Sequence, residues 1–137
     1  MMIVQDVGGE DRSISREILE LCDYIVPNES ELTRLLVALG EEDVSVSDEA
    51  EEVVRQAKRL QAHGARNVLV TRGRRGCTLL TEAGNVLHQE AYSLPPEDVV
   101  DETGAGDCFR AAFCVSLLEG FSLQESLTFA SAAGACA

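Results

Sequence analysis

The chain reads VDETGAGDCF over residues 100–109, and an apolar helical pattern begins directly after this stretch. The first N–H groups of a helix have no partner within the helix, and the helix dipole adds about half a positive charge there. Gly104, Ala105 and Gly106 leave those N–H groups open to an anion, and Asp107 follows as a carboxylate. Two interpretations fit this pattern. It is either an anion site beside a base, which is the equipment for moving a phosphoryl group onto a hydroxyl, or an ordinary helix start with an N-terminal carboxylate.

Around this stretch, short apolar runs alternate with helical patterns. The runs predict strands over residues 2–6, 24–26, 67–71, 77–81 and 86–90. Helices are predicted from Ser13 or Ser15 to Leu21 and over 29–39, 48–62, 104–118 and 123–135, with Ser47 or Asp48 capping the third. The run NVLVT at 67–71 is typical of a central parallel strand. We therefore expect a layered α/β domain with a mainly parallel sheet flanked by helices.

Length and charge narrow the class of protein. A chain of 137 residues forms one domain at most. The net charge of −13 argues against a nucleic-acid or acidic-membrane partner, since such surfaces need clustered Lys and Arg. No apolar stretch reaches the length of a membrane span, and no basic segment followed by an apolar one opens the chain. We expect a cytoplasmic protein without membrane or nucleic-acid partners.

The cysteines agree with that compartment. All five are scattered, with no C-x-x-C pair and no neighbouring histidine: Cys22, Cys77, Cys108, Cys114 and Cys136. This pattern predicts small buried thiols in a reducing environment rather than a disulfide framework or a zinc site.

Two other classes of phosphate-binding protein are disfavoured. A P-loop needs Gly-Lys-Ser/Thr, whereas the only lysine, Lys58, follows Ala57 within a predicted helix. A dinucleotide-binding fingerprint needs a third glycine, and Phe109 stands where that glycine would be.

Three segments together resemble one family. The C-terminal signature is D-x-TGAGD-x-F at 101–109, the segment PNESE at 27–31 contains an Asn-x-x-Glu motif, and VLVTRGRRG at 68–76 is a strand followed by a glycine loop. In this order and spacing they resemble the ribokinase family, also called the phosphofructokinase-B (PfkB) family of carbohydrate kinases, and most closely its ribokinase branch. The resemblance implies a ribokinase-like fold and ATP-dependent phosphorylation of a sugar hydroxyl.

The resemblance also implies the roles of individual residues. Asp107 would be the catalytic base, and Gly104, Ala105 and Gly106 would form the anion hole with it. Glu31 would hold Mg²⁺ through water, and Asp101 with the carbonyl of Thr103 would hold a monovalent cation such as K⁺. The residues bordering ATP and its phosphates would be Asn28, Thr71, Gly73, Arg74 and Gly76. This chain departs from the family pattern at Arg74, where a small polar residue is usual, and at Glu102, where a small or apolar residue is usual.

Nothing in the chain resembles the family's N-terminal half, which carries the sugar-recognition motif. The resemblance therefore implies a partial ribokinase-like domain over 1–137 that is incomplete at both ends. The full-length form is expected to be a homodimer with sugar and ATP as small-molecule partners, and the isolated chain to self-associate. The alternatives are another family kinase, such as a fructokinase or an adenosine kinase, and an inactive half-domain that binds nucleotide or a partner chain.

Overall fold

The computed structural model describes residues 2–7, 14–47, 49–91 and 105–135. Over these ranges the strands are β1 (Val4–Asp6), β2 (Tyr24–Val26), β3 (Asn67–Thr71), β4 (Cys77–Leu80) and β5 (Val86–Gln89). The helices are α1 (Arg16–Leu21), α2 (Glu29–Ala38), α3 (Ala50–Ala62), α4 (Ala105–Leu118) and α5 (Leu123–Ala135), and a short 3-10 helix covers Gly73–Arg75. None of the helices in the described ranges is both long and apolar enough to cross a bilayer.

The five strands form one mixed sheet in the order β1-β2-β3-β4-β5. Strands β1 and β2 are parallel, with Gln5 opposite Ile25, and β2 and β3 are parallel, with Ile25 opposite Val68. Val68, Leu69 and Val70 are fully buried. A strand that is buried on both faces needs such a continuous apolar run, and the prediction of β3 as the central strand is confirmed.

The chain divides into two compact units. The first comprises Met1–Arg72 with Thr78–Leu87, and the second comprises Gly73–Cys77 with His88–Ala137. In the first unit, apolar residues of α1, α2 and α3 join those of the strands in one core, for example Leu19, Leu36, Leu60 and Val68. The regular apolar spacing along these helices places one face of each in that core.

In the second unit, α4 and α5 pack against each other. Phe113, Leu127 and Ala130 are fully buried. Gly134 allows a close approach, because a Cβ atom there would lie 3.2 Å from the carbonyl oxygen of Ala105. The α5 backbone therefore lies against the first turn of α4.

The predicted elements are confirmed within a few residues at each end, with one error in capping. Ser15 caps α1, its Oγ accepting from the N–H of Ile18 at 3.3 Å. The N-cap of α3 is Glu49, which makes no side-chain capping bond, whereas Ser47 or Asp48 was expected. The hydroxyl of Ser47 instead accepts from the N–H of Glu49, at 3.1 Å, so it is used before the helix begins. Asp48 lies outside the described residues.

Candidate functional site

The turn between β2 and α2 holds two of the predicted site residues in a capping box. The Oδ1 atom of Asn28 accepts from the N–H of Glu31 at 2.8 Å, and Oε1 of Glu31 accepts from the N–H of Asn28 at 2.8 Å. This reciprocal pair satisfies two backbone donors at the start of α2. The Glu31 residue is only 5% exposed, so its carboxylate does not face solvent. One oxygen of the carboxylate is fixed by the backbone of the turn.

The same turn is joined to the end of β3. The N–H of Thr71 donates to the carbonyl of Pro27 at 2.9 Å, and Asn28 and Thr71 form an isolated parallel bridge. Both β2 and β3 end here, at the carboxyl edge of the sheet, which is where ligands bind in open α/β sheets. Thr71, which is far from Asn28 and Glu31 in sequence, is thus brought to the same edge of the sheet.

A buried ion pair that the sequence analysis missed lies beside them. The Nε atom of Arg72 is 3.6 Å from Oε2 of Glu29, and the side chains are 7% and 18% exposed. Each residue directly follows one member of the Asn28–Thr71 bridge. The signal in the sequence was two opposite charges, each one position beyond a motif residue.

The glycines of the predicted nucleotide loop have different surroundings. Gly73 has a φ of +55°, and a Cβ atom there would meet no atom within 4 Å, while the neighbouring Arg74 is exposed. Gly76 has a φ of +87°, and a Cβ atom there would collide with the carbonyl oxygen of Gln89 in β5. Gly76 is therefore required by packing, whatever it contacts in a ligand, whereas Gly73 and Arg74 are open to solvent.

The first turn of α4 carries the predicted base. Ala105 is the first helical residue, Gly106 and Asp107 follow, and the Asp107 side chain is 82% exposed. Among the described residues Asp107 pairs with Arg110, whose Nη1 lies 3.7 Å from Oδ1 of Asp107 and 3.0 Å from where a Cβ atom of Gly106 would be. The N–H groups of this turn have no acceptor within the helix. The turn thus combines an exposed carboxylate with N–H donors that an anion could engage. Asp101, Thr103 and Gly104 lie outside the described residues.

The described residues fit a magnesium site that binds the ion through water better than a site in which protein ligands surround the ion. Among the described residues, no group of three or more His, Cys, Asp or Glu side chains is placed to hold a metal ion. Mg²⁺ usually keeps several waters and is bound by one or two carboxylates with substrate phosphates. Glu31 offers such a carboxylate, since the capping box fixes its Oε1 and Oε2 lies 4.0 Å from Nη2 of Arg34.

The cysteines follow the prediction only in part. Cys22 and Cys77 are buried, and burial raises the pKa of the Cys77 thiol to about 11 although Ser131 donates to it. Cys108 is exposed, so a packed thiol at that position is wrong. The reason is its place on the outer face of α4, beside the exposed Asp107. Cys136 lies outside the described residues.

Comparison with known proteins places the chain in a family. The model of the family described as pfkB family carbohydrate kinase matches residues 1–137. The ribokinase of Arabidopsis thaliana is 39% identical over 132 residues, which are 96% of this chain and 32% of that protein. The chain thus spans about a third of the length of this curated relative.

Solved structures agree with the sequence comparison. The structure of Arabidopsis thaliana ribokinase complexed with ribose and ATP matches with a TM-score of 0.86 and 36% identity, over 98% of this chain and 40% of that one. An E. coli protein assigned as a ribokinase II, in complex with ATP and Mg²⁺, matches with a TM-score of 0.66 and 30% identity, over 88% of this chain and 34% of that one. The chain therefore belongs to the pfkB family of carbohydrate kinases and has the ribokinase-like α/β fold.

Proposed function

We propose that this chain supplies the catalytic base, the anion hole and the nucleotide residues for ATP-dependent phosphorylation of a sugar hydroxyl, with ribose as the acceptor. The observation that carries the proposal is the exposed carboxylate of Asp107 in the first turn of α4, in a chain that matches the kinase family over 1–137. Ribose is proposed because the similar Arabidopsis thaliana protein is a ribokinase whose structure was solved with ribose and ATP.

The first turn of α4 would act on the reacting groups. Asp107 takes the proton of the attacking sugar hydroxyl. At the same time the oxygen of that hydroxyl bonds to the γ-phosphorus of ATP, and the bond from this phosphorus to the ADP oxygen breaks. General-base catalysis of this kind contributes about 10²–10⁴ in rate. The N–H groups of Ala105, Gly106 and Asp107 hold the charge on the transferring phosphoryl, and Gly104 leaves room for it.

Residues that follow β2 and β3 would bind the nucleotide. Asn28 and Thr71 share the carboxyl edge of the first-unit sheet, which supports a common role for them. Gly73 and Gly76 border the nucleotide with backbone atoms, and the exposed Arg74 pairs with a phosphate through its planar guanidinium.

Cations would assist at two places. When bound, Mg²⁺ neutralises charge on the ATP phosphates, and Glu31 holds it through water.

Glu31→Gln keeps an oxygen for the capping box but removes the charge, so we expect the Mg²⁺ concentration for half-maximal rate to rise about 10–100-fold with little change in stability. Glu82→Gln, at an exposed carboxylate, is the control, and equal Mg²⁺ dependence of Glu31→Gln and wild type would overturn this role. Asp101 and the carbonyl of Thr103 would hold K⁺.

We further propose that the protein is cytoplasmic and that its full-length form is a homodimer. The cysteines that the structure describes are all free, which suits a reducing compartment.

The direct test uses the complete protein that carries this sequence, incubated with ATP and Mg²⁺ and either ribose, fructose or adenosine. Formation of ADP together with a phosphorylated sugar, fastest with ribose, supports the proposal. Phosphorylation of adenosine alone would make the protein a nucleoside kinase. Nucleotide binding without transfer to any acceptor would instead support the inactive half-domain.

A further inference from the structure

We propose that Glu29 and Arg72 are positioning residues, whose buried ion pair fixes Asn28 and Thr71 relative to each other and so sets the affinity for ATP. This inference rests on the proposed function for its link to ATP. Its structural part, the fixing of the Thr71 strand end against the Asn28 turn, stands on geometry alone.

The pair lies where two chain segments meet at the edge of the sheet. Glu29 is the first residue of α2, and Arg72 directly follows β3. The bridge between Asn28 and Thr71 and the 2.9 Å hydrogen bond from Thr71 to Pro27 are one residue away. The ion pair therefore extends a short parallel contact by one more position, through side chains instead of backbone.

The burial of the pair indicates a role other than stability. Two charges that leave water lose hydration, and their attraction often fails to offset that loss, so replacing both by apolar groups is often neutral. Oε2 of Glu29 has no hydrogen-bond donor among the described residues, and the 3.6 Å to Arg72 exceeds a hydrogen-bond length. The contact between Glu29 and Arg72 is thus Coulombic. It holds the two segments in one register, but it lacks the additional stabilisation of a bidentate hydrogen-bonded pair. The Glu29 carboxylate is also favoured by the dipole of α2.

Replacing one residue of the ion pair should weaken ATP binding more than replacing both. Arg72→Met leaves the Glu29 carboxylate without its counter-charge in a nearly buried place, and Glu29→Gln removes the attraction that joins Arg72 to the Asn28 turn, so in both variants the segments separate. Both residues adjoin Asn28 and Thr71, which are proposed to bind the nucleotide, and neither is proposed to act on the transferring phosphoryl group. We therefore expect the KM for ATP to change far more than kcat.

The experiment measures KM for ATP and kcat for Glu29→Gln, Arg72→Met and the double variant of the complete protein. We expect each single variant to raise KM about tenfold, while the double variant is no worse than the poorer single one, since residues in one ion pair are non-additive. Arg72→Lys should recover part of the loss. The control is the pair of Glu52 and Arg55, which lie 2.7 Å apart on α3 with side chains 23% and 67% exposed, and Glu52→Gln with Arg55→Met should leave KM unchanged.

Exchange of the Thr71 amide hydrogen gives a readout that does not depend on catalysis. Its bond to Pro27 should open more often in Glu29→Gln, and exchange should accelerate about tenfold or more relative to the Glu52→Gln control. If the wild type fails to phosphorylate ribose, the proposed function fails while faster Thr71 exchange still supports the positioning role. Additive effects on KM, a fall in kcat at constant KM, or unchanged Thr71 exchange would each overturn the inference. Glu29→Gln preserves side-chain volume and carries the test if Arg72→Met does not fold.

Discussion

The starts of α2 and α4 each carry a carboxylate in the first helical turn, yet the two carboxylates have opposite surroundings. Glu31 in α2 is 5% exposed and its Oε1 accepts from the backbone of Asn28. The Asp107 side chain in α4 is 82% exposed, and Arg110 is 3.7 Å away. Both positions are favoured by the helix dipole. The contrast teaches that a first-turn carboxylate is available for proton transfer only if the fold has not already engaged it.

The local sequence explains the difference. Asn28 and Glu31 have the spacing of a capping box, so each side chain reaches the backbone N–H of the other. Three residues before Asp107, at the position that Asn28 has relative to Glu31, the sequence has Gly104, which has no side chain to do the same. The α2 start is thus closed by its own residues, whereas the α4 start is open in the sense that the Asp107 carboxylate is exposed.

The largest effect is expected at the open start. Asp107→Asn in the complete protein should lower turnover about 10²–10⁴-fold, with nucleotide affinity nearly unchanged, because only the transition state needs the base. Steady-state kinetics and nucleotide titration measure the two quantities. Glu119→Gln, an exposed carboxylate just beyond the other end of α4, is the control and should keep full turnover.

At the closed start the effect should be on stability. Glu31→Ala leaves the Asn28 N–H without its acceptor, and we expect a loss of about 1–3 kcal/mol in the free energy of unfolding. Glu31→Gln should lose much less, because an amide oxygen can still accept that bond. Denaturant unfolding measures both, and equal losses for the two variants would show that the capping box contributes little.

Loss of the Asn28 side chain, the other half of the capping box, should reduce stability somewhat less than loss of the Glu31 side chain. Asn28→Ala removes the acceptor for the N–H of Glu31 and should cost about 1 kcal/mol. Ser15→Ala, which removes the cap of the short helix α1, serves for comparison. An Asn28→Ala protein as stable as wild type would contradict a closed α2 start.

The smallest change in stability is expected at Gly106. Alanine favours a helix over glycine by up to about 1 kcal/mol, and among the described residues the new Cβ would contact only the end of the flexible Arg110 side chain. Gly106→Ala should therefore be neutral or slightly stabilising, whereas the bulkier Gly106→Val should lower turnover by filling the space proposed for phosphate. Normal turnover per folded molecule in Gly106→Val would favour an ordinary helix start.

The sequence predicted the elements well because apolar periodicity is a local property. The run at Asn67–Thr71 indicated a buried strand, and the spacing of leucines in α2 indicated a helix with one buried face. Contacts between distant segments were not visible in this way. The pairing of Glu29 with Arg72 and the close approach of Gly76 to Gln89 arise only when strands align.

The candidate site was predicted in the same uneven way. The resemblance named Asn28, Glu31 and Thr71, but only the folded chain shows that the first two close a helix start and that Asn28 bridges to Thr71. The predicted cap of α3 and the predicted burial of Cys108 were wrong. Capping depends on the residue at which a helix begins, and burial depends on which face of the helix packs against the core.

The central claim is that Asp107 serves chemistry while Glu31 closes the fold around its turn. The most direct measurement determines turnover with ATP and ribose and the free energy of unfolding on the same preparations of Asp107→Asn and Glu31→Ala. We predict that Asp107→Asn loses about 10²–10⁴ in turnover at nearly wild-type stability, and that Glu31→Ala loses about 1–3 kcal/mol of stability. An Asp107→Asn protein that retains wild-type turnover, or that loses as much stability as Glu31→Ala, would contradict the claim.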